Sequence, residues 1–221
     1  MSPARKLAAE FIGSAVLAGV VIGSGILASR LAAGNDAVAL LANTGATLAI
    51  LYALITMLGP VSGAHFNPAV TLVMALSGRI GAGLGLVFAI VQVAGCVAGA
   101  LLAHAMFSLP LLQDASTVRA GHALLLSEGV ATAALVFAIF GAQRWKPEAT
   151  AAVVACVIGA GYWWTPSTSF ANPAITVARA LSDTFAGIRP ADAPGFIAAQ
   201  FAGALVAFAL ARWLFAGSGK T

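Results

Sequence analysis

The chain alternates long apolar segments with short polar ones, and most of the apolar segments are long enough to cross a lipid bilayer. A helix needs about 20 apolar residues to span the hydrocarbon core. Six regions can each hold such a span. They are residues 11–29, 37–78, 80–113, 121–143, 149–178 and 193–211. The pattern predicts an all-α membrane protein with six transmembrane helices.

Two of these regions are longer than one span requires, and each contains the same triplet. Region 37–78 contains Asn67-Pro68-Ala69, and region 149–178 contains Asn172-Pro173-Ala174. Asn is a favoured N-cap and Pro is favoured at the first helical position, so each triplet predicts the start of a short helix. A polar break at bilayer depth is tolerated only where protein or a water-filled cavity surrounds it. We therefore predict two re-entrant half-helices.

The order of motifs in the first half recurs in the second. Glu10, the first triplet and the Gln-x-Ala-Gly motif at Gln92 are followed by Glu128, the second triplet and the same motif at Gln200. Each half holds three spans, and an odd number inverts the second copy relative to the first, as in many transport proteins. We predict one domain over residues 1–221, with repeat 1 at about 5–108 and repeat 2 at about 120–215.

Composition and charge agree with a membrane location. Hydrophobic residues make up 61% of the chain, charged residues 8%, and the net charge is +4. With the N-terminus inside, the predicted inside cations are Arg5, Lys6, Arg79, Arg144, Lys146, Arg212 and Lys220. The predicted outside charges are Arg30, Arg119, Arg179, Arg189, Asp36, Asp114, Asp183 and Asp192. This distribution satisfies the positive-inside rule, so the net charge indicates a cytoplasmic-membrane topology with both termini inside, not a nucleic-acid partner.

These motifs together resemble the aquaporin (major intrinsic protein) family. The resemblance rests on the paired triplets, on Ala9-Glu10-Phe11 and on Ser-Gly-Ala-His-Phe-Asn-Pro-Ala-Val-Thr at residues 62–71, and it covers nearly the whole chain. It implies six tilted helices plus two half-helices in an inverted repeat, one pore per protomer and a homotetramer. The sequence offers no nucleophile–base pair and no metal-ligand cluster, so we expect neither an enzyme nor a cofactor.

The resemblance places Asn67 and Asn172 in the pore. Each side-chain oxygen can cap its half-helix while the NH₂ group donates to a water or hydroxyl oxygen. Each half-helix end carries about +0.5 elementary charge. A cation about 4 Å from both ends, at an effective dielectric of about 20, is repelled by roughly 4 kcal/mol. Neutral solutes are therefore expected to pass, and ions to be excluded.

Other polar residues within the apolar regions receive supporting roles. The resemblance implies that Glu10 and Glu128 each accept hydrogen bonds from the backbone of the loop in their own repeat. The alternatives are a simple interfacial Glu10 and the titrating carboxylates of a transporter. Gln92 and Gln200 are predicted as contacts between helices, with a pore role as the alternative. The resemblance makes His65 part of a loop whose carbonyls line the pore.

The chain departs from the family pattern after the second triplet. An arginine usually stands there and forms a constriction near the outer mouth, but this chain has Ile175. Spacing from the triplets assigns the other three positions to Thr47, Ala160 and Ser169, with Gly161 as the alternative to Ala160 if the alignment slips by one. This set is small and uncharged, which predicts a wider and more apolar opening.

An arginine-less filter resembles bacterial aquaporin S-type channels, which are associated with arsenic resistance. We predict a passive channel for glycerol, urea or neutral metalloid hydroxides, with water passing as well. The alternatives are a water-selective aquaporin and a secondary transporter. Arg179, one turn beyond Ile175, can reach toward the mouth, but it is not expected simply to replace the missing guanidinium. The aromatic residues near this mouth are predicted as interfacial, with inward folding of one as the alternative; they are Tyr162, Trp163, Trp164 and Phe170.

Overall fold

The computed structural model describes residues 1–216, and helices make up most of that part of the chain. The α-helices are α1 Pro3–Leu31, α2 Asp36–Ser62, α3 Pro68–Leu76, α4 Ala82–Met106, α5 His122–Trp145, α6 Thr150–Trp164, α7 Pro173–Ala180 and α8 Ala193–Leu214. Residues 1–216 contain no strand, and the prediction of an all-α membrane fold is confirmed. Lys220, counted above among the inside cations, lies outside the described residues.

The predicted spans differ in length. Of the helices in residues 1–216, five are long and apolar enough to cross a membrane: α1, α2, α4, α5 and α8. The sixth predicted span is α6, which has 15 residues and measures about 22 Å, less than the hydrocarbon core of about 30 Å. A single 3-10 turn at Pro147–Ala149 precedes it. In repeat 2, α6 occupies the place that α2 has in repeat 1.

The helix contacts repeat between the two halves of the chain. In the first half α1 packs on α2 and α4, and α3 packs on α4; in the second, α5 packs on α6 and α8, and α7 packs on α8. The half-helices also cross over, α3 to α8 and α7 to α4. Helix α2 meets its counterpart α6, and α3 meets α7. A two-fold relation between the halves requires this set of contacts.

Two glycines allow α1 and α4 in the first half, and α5 and α8 in the second, to cross closely. A methyl group at Gly95 in α4 would overlap the Phe11 carbonyl of α1, and one at Gly203 in α8 would overlap the Gly129 carbonyl of α5. Small residues at such crossings let helix backbones approach within a membrane, where no hydrophobic force drives association. Both glycines end a Gln-x-Ala-Gly motif, so the repeated motif marks equivalent helix crossings.

The half-helices α3 and α7 are short and begin in the interior. They have nine and eight residues, about 12–14 Å, and their first residues, Pro68 and Pro173, are buried. Each is preceded by a non-helical loop with non-glycine residues in the left-handed region, including Phe66 (φ 49°) and Ala171 (φ 47°). Such backbone persists only where the surroundings enforce it, and it clusters at functional sites.

Candidate functional site

A buried carboxylate holds the loop before α3. Glu10 Oε1 accepts from Ser62 Oγ (2.6 Å) and from the His65 backbone N–H (3.0 Å). Its Oε2 accepts from the Phe66 N–H and from Gln92 Nε2, both at 2.8 Å. Glu10 is fully buried, so these four donors replace the water that an ionised carboxylate requires. This is the geometry of a loop support, not of an interfacial residue.

The loop before α7 is held in the same way. Glu128 accepts from the backbone N–H groups of Phe170 and Ala171, both at 2.9 Å, and from Gln200 Nε2 at 2.6 Å. Gln200 also donates to Thr176 Oγ1 at 2.9 Å, which ties α8 to α7. Like Glu10, Glu128 is fully buried. Movement of this carboxylate would break three hydrogen bonds at once, which disfavours a transport role in which it changes position.

The two asparagines cap the half-helices. Asn67 Oδ1 accepts from the Ala69 N–H, and Asn172 Oδ1 accepts from the Ala174 N–H, both at 2.9 Å. These bonds satisfy backbone donors that a helix start otherwise leaves free. The amide oxygens are thereby turned into the helices, and the NH₂ groups are turned away from them.

Each asparagine NH₂ group crosses to the other half of the protein. Asn67 Nδ2 donates to the Ala171 carbonyl at 2.7 Å, and Asn172 Nδ2 donates to the Phe66 carbonyl at 2.8 Å. The backbone N–H groups of Phe66 and Ala171 are held by the carboxylates, so these residues are fixed from both sides. An amide nitrogen carries two hydrogens, and one bond of this kind leaves the second for a solute.

A single cavity passes both asparagines. It extends from Gln143 and Thr150 at one end to Thr47 and Tyr162 at the other. Polar lining residues include His65, whose Nδ1 lies 3.1 Å from Thr71 Oγ1. Aliphatic side chains of α1, α2, α5 and α6 also line the cavity; they are Leu17, Val21, Leu51, Ile55, Leu135, Ile139, Val154 and Ile158. The end at Thr47, which the predicted topology places outside, is called the outer mouth below.

Three of the four predicted constriction residues line the cavity: Thr47, Ser169 and Ile175. All three are buried. At the outer mouth Thr47 Oγ1 lies 3.2 Å from the Tyr162 hydroxyl, so an aromatic side chain from α6 closes this side of the opening. The inward-folding alternative thus applies to Tyr162.

Ala160 does not line the cavity, and its predicted placement is corrected. It is exposed on the outer surface of α6, whereas Ile158 and Tyr162, four residues apart, both face the cavity. Each residue turns a helix by about 100°, so the position midway between them points away. Gly161, the alternative, is buried, and a methyl group on it would overlap the Ser169 side chain. Tyr162 therefore occupies the place on the cavity wall that spacing assigned to Ala160.

Arg179, predicted as an outside charge that can reach toward the mouth, lies at the outer mouth. Its side chain is 3% exposed and lines the cavity. The guanidinium lies 3.3 Å from the centre of the Phe170 ring, and Nε donates to the Ala186 carbonyl. The mouth is therefore neither as wide nor as apolar as the four predicted residues imply. Trp163 and Trp164, by contrast, are exposed.

Comparison with known proteins identifies the family to which the chain belongs. The sequence profile described as "Major intrinsic protein" matches residues 1–165. The chain belongs to the major intrinsic protein family. The predicted family resemblance is thus confirmed, and the paired triplets, crossed asparagines and central cavity are features of a member of this family.

Relatives within the family extend the match beyond residue 165. The aquaglyceroporin AqpS of Rhizobium meliloti (strain 1021) is 53% identical over 210 residues, which are 95% of this chain and 90% of that protein. Human aquaporin-9 is 39% identical over 79 residues, 35% of this chain and 26% of its own. The X-ray structure of the aquaglyceroporin from Plasmodium falciparum superimposes with a TM-score of 0.71 at 15% identity, covering 95% of each chain, which shows the fold alone.

Proposed function

We propose that this protein is a passive channel for small neutral solutes and that glycerol is a principal one. The observation that carries the proposal is the pair of asparagine NH₂ groups on the wall of one continuous cavity. Each retains a hydrogen for a passing oxygen. The half-helix N-termini beside them carry positive partial charges that disfavour cations and leave neutral solutes unopposed.

The mixed polar and apolar lining of the cavity suits a solute with one polar and one apolar edge. The asparagines and the hydroxyl groups of Thr47, Tyr162 and Ser169 offer hydrogen bonds. The aliphatic side chains of the lining, such as Ile158, can contact CH groups. Glycerol has these two edges, and a relative that matches 95% of this chain is named an aquaglyceroporin. Urea, neutral metalloid hydroxides and water belong to the same class of permeant.

Stopped-flow light scattering on proteoliposomes tests the proposal. We expect glycerol entry that is linear in concentration, independent of ion gradients and low in activation energy. Saturable uptake that follows a gradient would identify a secondary transporter, and water flux without glycerol flux would identify a water-selective aquaporin. Ser169→Leu is expected to block entry because residue 169 lines the cavity, whereas the control Ala160→Leu adds the same kind of side chain to an exposed surface.

The assembly and location are part of the same proposal. We place the channel in the cytoplasmic membrane as a homotetramer with both termini inside. Support comes from the many exposed large apolar side chains on the helices, which require lipid or a neighbouring subunit. Native mass spectrometry in detergent is expected to give four copies, and a protease added to sealed inverted vesicles is expected to reach both termini.

A further inference from the structure

Arg179 occupies the face of α7 that the missing filter arginine would use. It follows Ile175 by four residues, and residues four apart lie on the same face of a helix. Both side chains line the cavity. This face of α7 therefore has an apolar side chain at residue 175 and a guanidinium one turn further along, at the outer mouth.

The guanidinium is held in place but keeps donors free. It stacks on Phe170, and Nε is bonded to the Ala186 carbonyl. The Arg179 backbone carbonyl accepts from Ile188 N–H at 3.3 Å, which fixes the end of α7 against the following loop. Among the hydrogen bonds of residues 1–216, none involves either Nη atom of Arg179. These N–H groups remain for an oxygen in the cavity.

The charge of this guanidinium is not cancelled by an ion pair. Within residues 1–216 the one salt bridge joins Arg189 and Asp192. A second guanidinium, that of Arg119, lies 5.1 Å from the centre of the same Phe170 ring. Two fixed positive charges therefore flank one aromatic ring beside the outer mouth.

We infer that Arg179 is a specificity-determining residue of the outer mouth: it repels cations there and donates hydrogen bonds to solute hydroxyl oxygens. This inference rests on the proposed channel function. Removal of one unit charge about 8 Å from a permeating cation, at an effective dielectric of about 20, corresponds to a change in cation flux of about thirtyfold. The half-helix dipoles at the asparagines remain as a second barrier.

Arg179→Met removes the charge and keeps a long apolar side chain that can cover Phe170. We expect potassium leak from proteoliposomes to rise about thirtyfold, while glycerol entry shows that the variant pore is open. Arg179→Lys keeps the charge and is expected to leak like the wild type. The control Arg189→Met removes a positive charge that does not line the cavity, and it is expected to leave the leak unchanged.

A double variant tests whether the barrier to cations depends on the position of the guanidinium or only on its charge. Ile175→Arg added to Arg179→Met returns a guanidinium to the same face and is expected to restore the barrier. Arg179→Gln keeps a donor for the Ala186 carbonyl and replaces Arg179→Met if the latter does not fold. Wild-type leak in a folded variant without the charge overturns the inference and leaves the channel intact. Absence of glycerol entry in the wild type instead overturns the proposed function.

Discussion

The two half-helices present equivalent positions to the cavity but differ in what they place there. Counting from the capping asparagines, Val70 and Met74 of α3 correspond to Ile175 and Arg179 of α7, and all four side chains line the cavity. Val70 and Ile175 are both aliphatic. Met74, in contrast, has a thioether side chain, and its counterpart Arg179 has a guanidinium. Symmetry thus provides the scaffold, and a departure from symmetry provides the chemistry of one mouth.

The loops before the half-helices show the same division. Phe170 corresponds to His65, two residues before each asparagine. His65 bonds to the Thr71 hydroxyl within its own repeat, whereas the guanidinium of Arg179 stacks on the Phe170 ring. The backbone of both loops is nevertheless held by equivalent carboxylates. Both loops therefore have the same kind of carboxylate support, but the side chains that the loops position differ.

Asn172→Asp is expected to produce the largest effect, an increase in cation conductance. Asn67→Asp is expected to increase the conductance equally. Aspartate preserves the cap but brings a carboxylate to the two positive helix ends. A cation about 4 Å from it, at an effective dielectric of about 20, gains roughly 4 kcal/mol, or about a thousandfold in flux. Cation currents in planar bilayers measure this change. Unchanged conductance in both variants would contradict the dipole barrier, and a change in only one would break the symmetry of the centre.

The order of motifs in the sequence predicts the loop supports that both halves share, because each supporting residue appears once in each half. Glu10 with Gln92, and Glu128 with Gln200, were expected to support loops and connect helices, and the structure joins each pair directly. A repeated motif carries this information because equivalent residues must meet equivalent partners in both halves.

The outer mouth is less predictable because it depends on helix rotation. Counting back from Asn172 fixes distance along the chain but not the rotation of α6, and an error of two residues turns a side chain outward by about 200°. Hydrophobicity cannot correct the error, since the lipid-facing surface is as apolar as the interior. Tyr162 therefore resembled an interfacial aromatic. For Arg179, the four-residue spacing from Ile175 was the available signal.

Ile175→Arg restores the family arginine beside Arg179, and its expected effect on flux is smaller than the effects of the asparagine and Arg179 variants. The added guanidinium occupies cross-section that glycerol needs, so glycerol flux is expected to fall about tenfold and water flux by less. Val70→Ile gives both half-helices the same side chain at this position and is expected to change either flux by less than about twofold. Stopped-flow shrinkage and reswelling of proteoliposomes give both fluxes. Equal losses of water and glycerol flux in Ile175→Arg would argue against residue 175 as a filter position.

The smallest expected effect concerns the loop after α7, which contains a carboxylate that the short loop after α3 lacks. Asp183 accepts from the backbone N–H and the hydroxyl of Ser116, both at 2.8 Å, and these bonds lower the pKa of Asp183. A lowered pKa in the folded state contributes stability at pH values above the ordinary carboxyl pKa of about 3.9, and that contribution is lost as the pH falls toward the lowered value.

Ser116→Ala removes one of these two donors and keeps the backbone N–H. We expect a slightly lower thermal unfolding temperature at pH 7 and a smaller difference from the wild type near pH 3, measured by intrinsic fluorescence in detergent. Asp183 is exposed, so solvent screens the interaction and the shift is expected to be small. The control Ser77→Ala changes a serine at the end of α3, where no carboxylate accepts from it, and its effect is expected to be independent of acid pH. An equal pH dependence in both variants would mean that the two ends are not distinguished by this carboxylate.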